Sequence, residues 1–130
     1  MPRAVWLLQG GRPCVSIVLT LDDGTEVDAE LLADTGGGAA HATSDLILPE
    51  DDCRLCGAVA VSTADLEGAY SGTFPLFKIR VRIPALAFDE EVDVVGVPSV
   101  DGFAGLACFR FLDRFGYGNF GDPALFGLEC

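Results

Sequence analysis

Residues 31–36 read Leu31-Leu32-Ala33-Asp34-Thr35-Gly36, an apolar run that ends on an acid, a hydroxyl residue and a glycine. Leu31, Leu32 and Ala33 have the character of a buried strand end. An ionised Asp in such a place is costly unless its oxygens are paired or hydrogen-bonded. Thr35 brings a hydroxyl, and Gly36 lets the backbone turn close to the carboxylate. The plain alternative is a strand followed by an Asx-turn, which Asp-Thr-Gly also serves. The tripeptide arises by chance in roughly a few per cent of chains of this length, so its meaning depends on its surroundings.

Upstream, Val15, Ile17, Leu19 and Leu21 alternate with Ser16, Val18 and Thr20, the period of a half-buried strand. Asp22-Asp23-Gly24 is a hairpin turn signal. The returning strand, about 25–33, carries Glu26, Asp28 and Glu30 on one face and Val27, Ala29 and Leu31 on the other. Downstream come Gly36-Gly37-Gly38 and a polar stretch that contains Cys53 and Cys56. Residues 59–63 read as a strand, and Ala64-Asp65-Leu66-Glu67-Gly68 as the turn at a hairpin tip. In residues 76–83, Phe77, Ile79, Val81 and Ile83 face one way and Lys78, Arg80 and Arg82 the other; Pro84 ends the strand. A partner strand, 86–97, carries Asp89, Glu90, Glu91 and Asp93, so a basic and an acidic face are expected to meet. Leu106, Phe109, Leu112 and Phe115, with Cys108 and Phe111, give the stripe of one helix, which Gly116 is placed to cap.

Short segments between frequent Gly and Pro indicate an all-β protein. With 130 residues, half of them apolar, and no linker or repeat, residues 1–130 are expected to form one domain. Twenty acidic against eight basic residues give a formal charge of −12. Such a surface repels phosphate backbones and anionic lipid, so neither nucleic acid nor membrane is an expected partner. No apolar run is long enough to span a bilayer. The five cysteines are odd in number and follow no export signal, which implies reduced thiols in a cytoplasm.

The order of these features resembles the retroviral-like, retropepsin-type aspartic proteases from about Val15 to Phe115. In that family Asp-Thr/Ser-Gly lies near the first third, a flap hairpin follows, and two hydrophobic residues and a Gly lead into the one well-formed helix. Here residues 61–74, with Gly68 and Gly72, stand in place of the flap, and Phe103-Ala104-Gly105 before Leu106 in place of the late motif. The resemblance implies a closed β-barrel with one helix in the C-terminal half. It implies that Asp34 is the catalytic carboxylate, that Thr35 braces the two active-site loops across a dimer axis, and that Gly36 lies beside the substrate. Asp65, Leu66, Glu67, Gly68 and Tyr70 would form the flap over an extended peptide. Tyr70 is similar to the flap tyrosine of pepsin-like enzymes, though it also suits packing on the hairpin. The chain departs from the family at Gly37-Gly38-Ala39, where Ala and a polar residue are usual, and at Leu106-Ala107-Cys108 after Gly105.

Aspartic-protease chemistry needs two carboxylates that share a proton. Only one Asp-Thr-Gly occurs, so the second must come from another copy across a two-fold axis. The implied activity is endopeptidase hydrolysis without metal or cofactor; the alternative is a weak or inactive protease-like module for dimerisation or peptide binding. Cys53-Arg54-Leu55-Cys56 is half of a zinc pattern that lacks its second half, so structural thiols are the simpler reading. His41, the one histidine, suits a loop better than a ligand set, and no Ser-His-Asp or Cys-His arrangement is in view. Ala4-Val5-Trp6-Leu7-Leu8 and Ala124-Leu125-Phe126-Gly127-Leu128 are apolar ends. By resemblance they interleave as strands between subunits; alternatively each packs on its own chain.

Overall fold

The computed structural model describes residues 2–36 and 44–130. Strands β1 (Arg3–Leu7), β2 (Cys14–Thr20), β3 (Glu26–Asp34) and β4 (Leu46–Pro49) lead into a short helix, α1 (Glu50–Leu55). Then come β5 (Ser62–Leu66), β6 (Gly72–Ile83), β7 (Phe88–Val97) and β8 (Gly105–Cys108). The single turn of α2 (Phe109–Leu112), β9 (Gly116–Gly118) and β10 (Leu125–Glu129) complete the order. The pairing β2-β3-β8-β4-β7-β6 returns to β2 through Val18↔Arg82 and Leu19↔Val81, so six strands close a barrel. Closure leaves these strands no free edge. β5 hangs outside the ring on β6 as one arm of a hairpin.

The wall follows from alternation. Val15, Ile17 and Leu19 of β2, Ala29, Leu31 and Ala33 of β3, and Phe77, Ile79, Val81 and Ile83 of β6 are buried in one core, while Glu26, Asp28 and Glu30 face out. The β2–β3 turn forms at Asp22-Asp23-Gly24: Gly24 adopts φ +88° and the Thr25 N–H donates to Asp23 Oδ1 at 2.9 Å. On the outer wall Lys78 pairs with Asp93 at 2.7 Å and Arg80 with Asp89 at 2.8 Å, as the two charged faces led one to expect. Arg82 turns instead to Glu26. These pairs are largely exposed and contribute little, roughly 0–1 kcal/mol each.

Strands β4 and β8 and the second half of β7, from Val94, are covered on both faces. Leu46, Leu48, Val94 and Ala107 point into the barrel; Ile47, Val95, Val97 and Cys108 point to a second cluster on its outside. That cluster includes Ala64, Leu66, Tyr70, Phe74 and Leu76 of the β5–β6 hairpin, together with Val100 and Leu106. β8 threads between β3, to which it is parallel, and β4, to which it is antiparallel. The passage is tight at Gly105, where an added Cβ would lie 2.5 Å from both Ile47 O and Leu48 Cδ2. Gly105→Ala is therefore expected to cost about 1–3 kcal/mol, the usual penalty of overpacking. A denaturation midpoint equal to wild type would contradict it.

Several expectations about element bounds are corrected. The helix expected from Leu106 to Phe115 is only Phe109–Leu112. Leu106, Ala107 and Cys108 instead form a strand with partners on both sides, and a strand apolar on both faces cannot be told from a buried helix by periodicity. Beyond it, residues 113–115 close in tight turns, and Gly116 opens β9 rather than capping a helix. The stretch around Cys53 is helix α1, with Glu50, Asp51 and Asp52 in its first turn and Arg54 bonded to Glu50. The strand expected at 59–63 starts at Ser62, and Asp65 and Leu66 belong to it, so the hairpin turns at 67–71. Likewise, the strand expected from Leu86 begins at Phe88, because Pro84–Leu86 forms a 3-10 turn followed by Ala87 at φ +53°.

The chain ends are strands, but they pair with each other inside one chain. β10 lies between β1 and β9, from Arg3↔Glu129 to Leu7↔Leu125 and from Gly127↔Gly118 to Glu129↔Gly116. Ala4, Phe126 and Leu128 are buried in the main core. Their apolar character is used within the chain, the second of the two readings of these ends. Among the described residues no helix is long and apolar enough to cross a membrane.

Candidate active site

Asp34 is the last residue of β3, level with Cys108 of β8, just as Ala33 is level with Ala107. Paired residues of neighbouring strands point to the same side. Asp34, half-buried, therefore faces the outer cluster with Cys108, while Ala33 faces the core. The Gly36 N–H donates to Asp34 Oδ1 at 3.1 Å. Thr35 and Gly36 are exposed. Among the described residues a Cβ on Gly36 would meet only Asp34 Oδ1, at an ordinary 3.6 Å, so none of them requires glycine there.

Beyond the loop the chain returns at Asp45, whose side chain is fully buried although charged. Asp45 Oδ1 accepts from Arg114 Nη2 at 3.1 Å and Nε at 3.3 Å, with Arg110 Nε at 3.7 Å. Its Oδ2 accepts the Asp93 N–H at 3.0 Å. Its backbone N–H donates to Asp93 O at 2.8 Å, and its carbonyl accepts the Cys108 N–H at 2.9 Å. One residue thus ties β7, β8 and the segment after α2 to the far end of the loop that begins at Asp34. Burial tends to raise the Asp93 carboxyl, but hydrogen bonds and charge from Lys78 and Arg110 outweigh it and hold the group below its ordinary range.

The β5–β6 hairpin covers the outer cluster. Leu66 and Tyr70 are half-buried members of it, whereas Asp65, Glu67 and Gly68 are exposed. Asp65 Oδ1 accepts from Thr73 Oγ1 at 2.6 Å across the hairpin, a brace between its arms. Gly68, at φ +83°, allows the 3-10 turn at the tip. The apolar cluster under the hairpin accordingly runs from Tyr70 and Phe74 past Ile47, Val95 and Leu106 to Cys108, level with Asp34.

A solved retropepsin-like aspartic protease from Rickettsia conorii superposes with a TM-score of 0.62 at 16% identity, over 97% of this chain and 89% of that one. The fold is that of the retropepsin-like aspartic proteases. No protein-family model matches the sequence, and no curated protein does. Phe103-Ala104-Gly105 does not lead straight into the helix, because the strand Gly105–Cys108 lies between them.

The sequence did not single out Asp45, Cys108, Arg110 or Arg114 for the site. The available signal was an Asp directly before the wholly apolar Leu46-Ile47-Leu48, and two arginines four residues apart. Gly37, Gly38, Ala39 and His41 lie outside the described residues. Among the described residues no three His, Cys, Asp or Glu side chains gather to hold a metal ion.

Burial drives the Cys108 thiol from an ordinary 9.0 to about 12, with Asp34 and Asp45 adding to the rise and Ser44 opposing it. Cys53 also rises to about 12, chiefly by burial, with Cys56, Asp52 and Glu50 adding. Both thiols keep their protons at neutral pH and are poor nucleophiles. Because the folded values exceed the unfolded one, their contribution is intact below pH 9.0 and is lost as pH rises from there towards 12. Denaturant titrations should show stability falling across that window, and less steeply in Cys53→Ala than in wild type. Equal slopes would contradict the assignment.

Proposed function

We propose that this chain is one subunit of a homodimeric aspartic endopeptidase, in which Asp34 and the Asp34 of a second copy activate a water molecule between them. The observation that carries this reading is the placement of Asp34. It ends an inner strand of a retropepsin-like barrel, has one oxygen on the Gly36 N–H, and lies level with Cys108 of the apolar cluster that the hairpin covers. One carboxylate cannot act as base towards water and as acid towards the leaving group in the same step; a second copy supplies the other, and the shared proton belongs to the pair. Gly36 supports the same reading. A glycine that neither its backbone conformation nor the space left by the described residues requires suits a close approach from outside, by substrate or by the second loop. Thr35, exposed beside it, is placed to brace that loop. Leu66 and Tyr70 present apolar surface to a peptide, while Asp65 stiffens the hairpin and Gly68 lets its tip turn. No metal or cofactor enters the reaction.

Incubation with a panel of unstructured peptides, with and without a transition-state mimic of aspartic proteases, tests the reading. Cleavage blocked stoichiometrically by the mimic is the expected result, because a competent dyad binds the transition state far better than the substrate. Cleavage indifferent to the mimic sinks it. The pH–rate profile is expected to peak on the acidic side of neutrality. One carboxylate must be charged while its neighbour, raised by that charge, stays protonated. A rate that keeps climbing through pH of about 8 points to other chemistry.

A further inference from the structure

Beside the β5–β6 hairpin lies a cavity of about 350 Å³, lined by Tyr70, Ser71, Phe74, Pro98, Ser99 and Asp101. One wall belongs to the hairpin and the other to the segment between β7 and β8. Tyr70 and Phe74 also belong to the hairpin-covered cluster that extends to Cys108, level with Asp34, so the cavity borders the same hairpin as the candidate site. Its chemistry is two aromatic rings and a proline ring as apolar walls, three hydroxyls, and one carboxylate. Among the described residues Asp101 has no ion-pair partner. Arg3, Arg54, Lys78, Arg80, Arg82, Arg110 and Arg114 are each held on other carboxylates. Arg12 lies over the Phe103 ring at 5.7 Å.

We propose that this cavity is a subsite for a lysine or arginine side chain of the peptide substrate, and that Asp101 determines the preference. The assignment rests on the protease reading of Asp34. A basic side chain has the matching division: an alkyl stem to lie on Tyr70, Phe74 and Pro98, and a cationic head for Asp101. Ser71 and Ser99 add acceptors, and the aromatic faces favour a cation. The formal charge of −12 draws basic segments towards the protein before contact. A neutral isostere keeps the stem contacts and loses the head.

The test compares kcat/KM for peptides that carry arginine or citrulline at each position in turn around one scissile bond. At one position the wild-type protein should prefer arginine by roughly tenfold, the size of one partly exposed charge-assisted hydrogen bond. In Asp101→Asn that ratio should fall to about one. Asp101→Lys should invert the preference, favouring glutamate over glutamine at the same position, a gain that misfolding cannot imitate. Peptides cleaved with no arginine preference, or with a preference that survives Asp101→Asn, overturn the subsite and leave the protease reading standing. If wild type cleaves no peptide at all, the protease reading fails, and this assignment falls with it.

Discussion

Asp34→Asn is expected to leave the barrel folded and to lower peptide hydrolysis by roughly 10²–10⁴-fold or more, the usual worth of a positioned acid or base. Asparagine is nearly isosteric, and its carboxamide oxygen can still accept the Gly36 N–H that now reaches Asp34 Oδ1 at 3.1 Å. What it cannot do is share the proton. The dimer makes a sharper expectation: excess Asp34→Asn subunits should extinguish wild-type activity, because a mixed pair holds only one carboxylate. Activity that merely dilutes on mixing means that each chain works alone. Purified Asp34→Asn that cleaves at the wild-type rate removes Asp34 from the chemistry altogether.

Asp45→Ala should destabilise the fold by about 1–3 kcal/mol, the cost of leaving a buried donor without its acceptor. The change takes the carboxylate from the partly exposed Arg114 guanidinium, which water can then solvate, and the acceptor from the Asp93 N–H. Against a typical total of about 5–15 kcal/mol this is a large fraction. Asp45→Asn should cost less, since it keeps an acceptor for that N–H and the volume of the side chain. Urea titration should show lower midpoints in that order with unchanged slopes. A loss below about 1 kcal/mol for Asp45→Ala would mean that the cluster at the foot of the loop is solvated and does not hold it.

Much of the barrel was legible because its wall has one wet face. Glu26, Asp28 and Glu30 against Ala29 and Leu31, or Lys78, Arg80 and Arg82 against Phe77, Ile79 and Val81, announce both strand and orientation. β8 was not legible for the opposite reason. With β3 on one side, β4 on the other and both faces covered, Leu106-Ala107-Cys108 has no alternation to display. α1 is six residues long, too short for a helical period to declare itself. The apolar ends could be read as strands, but an apolar strand does not state which edge it will join, and here each joins the other. In the site, Asp34 was visible because its triplet is local. Asp45 was not, because its partners Asp93 and Arg114 lie 48 and 69 residues further along the chain. A buried charge of that kind is a property of the fold, and only the isolated acid before Leu46-Ile47-Leu48 hinted at it.

A crystal structure of the protein with a bound transition-state mimic is the most direct measurement. Two copies related by a two-fold axis, with the Asp34 carboxylates within about 2.5–3.5 Å of each other and of the mimic's hydroxyl, is the predicted result. Asp34 far from any two-fold axis, with the mimic elsewhere or unbound, would contradict it.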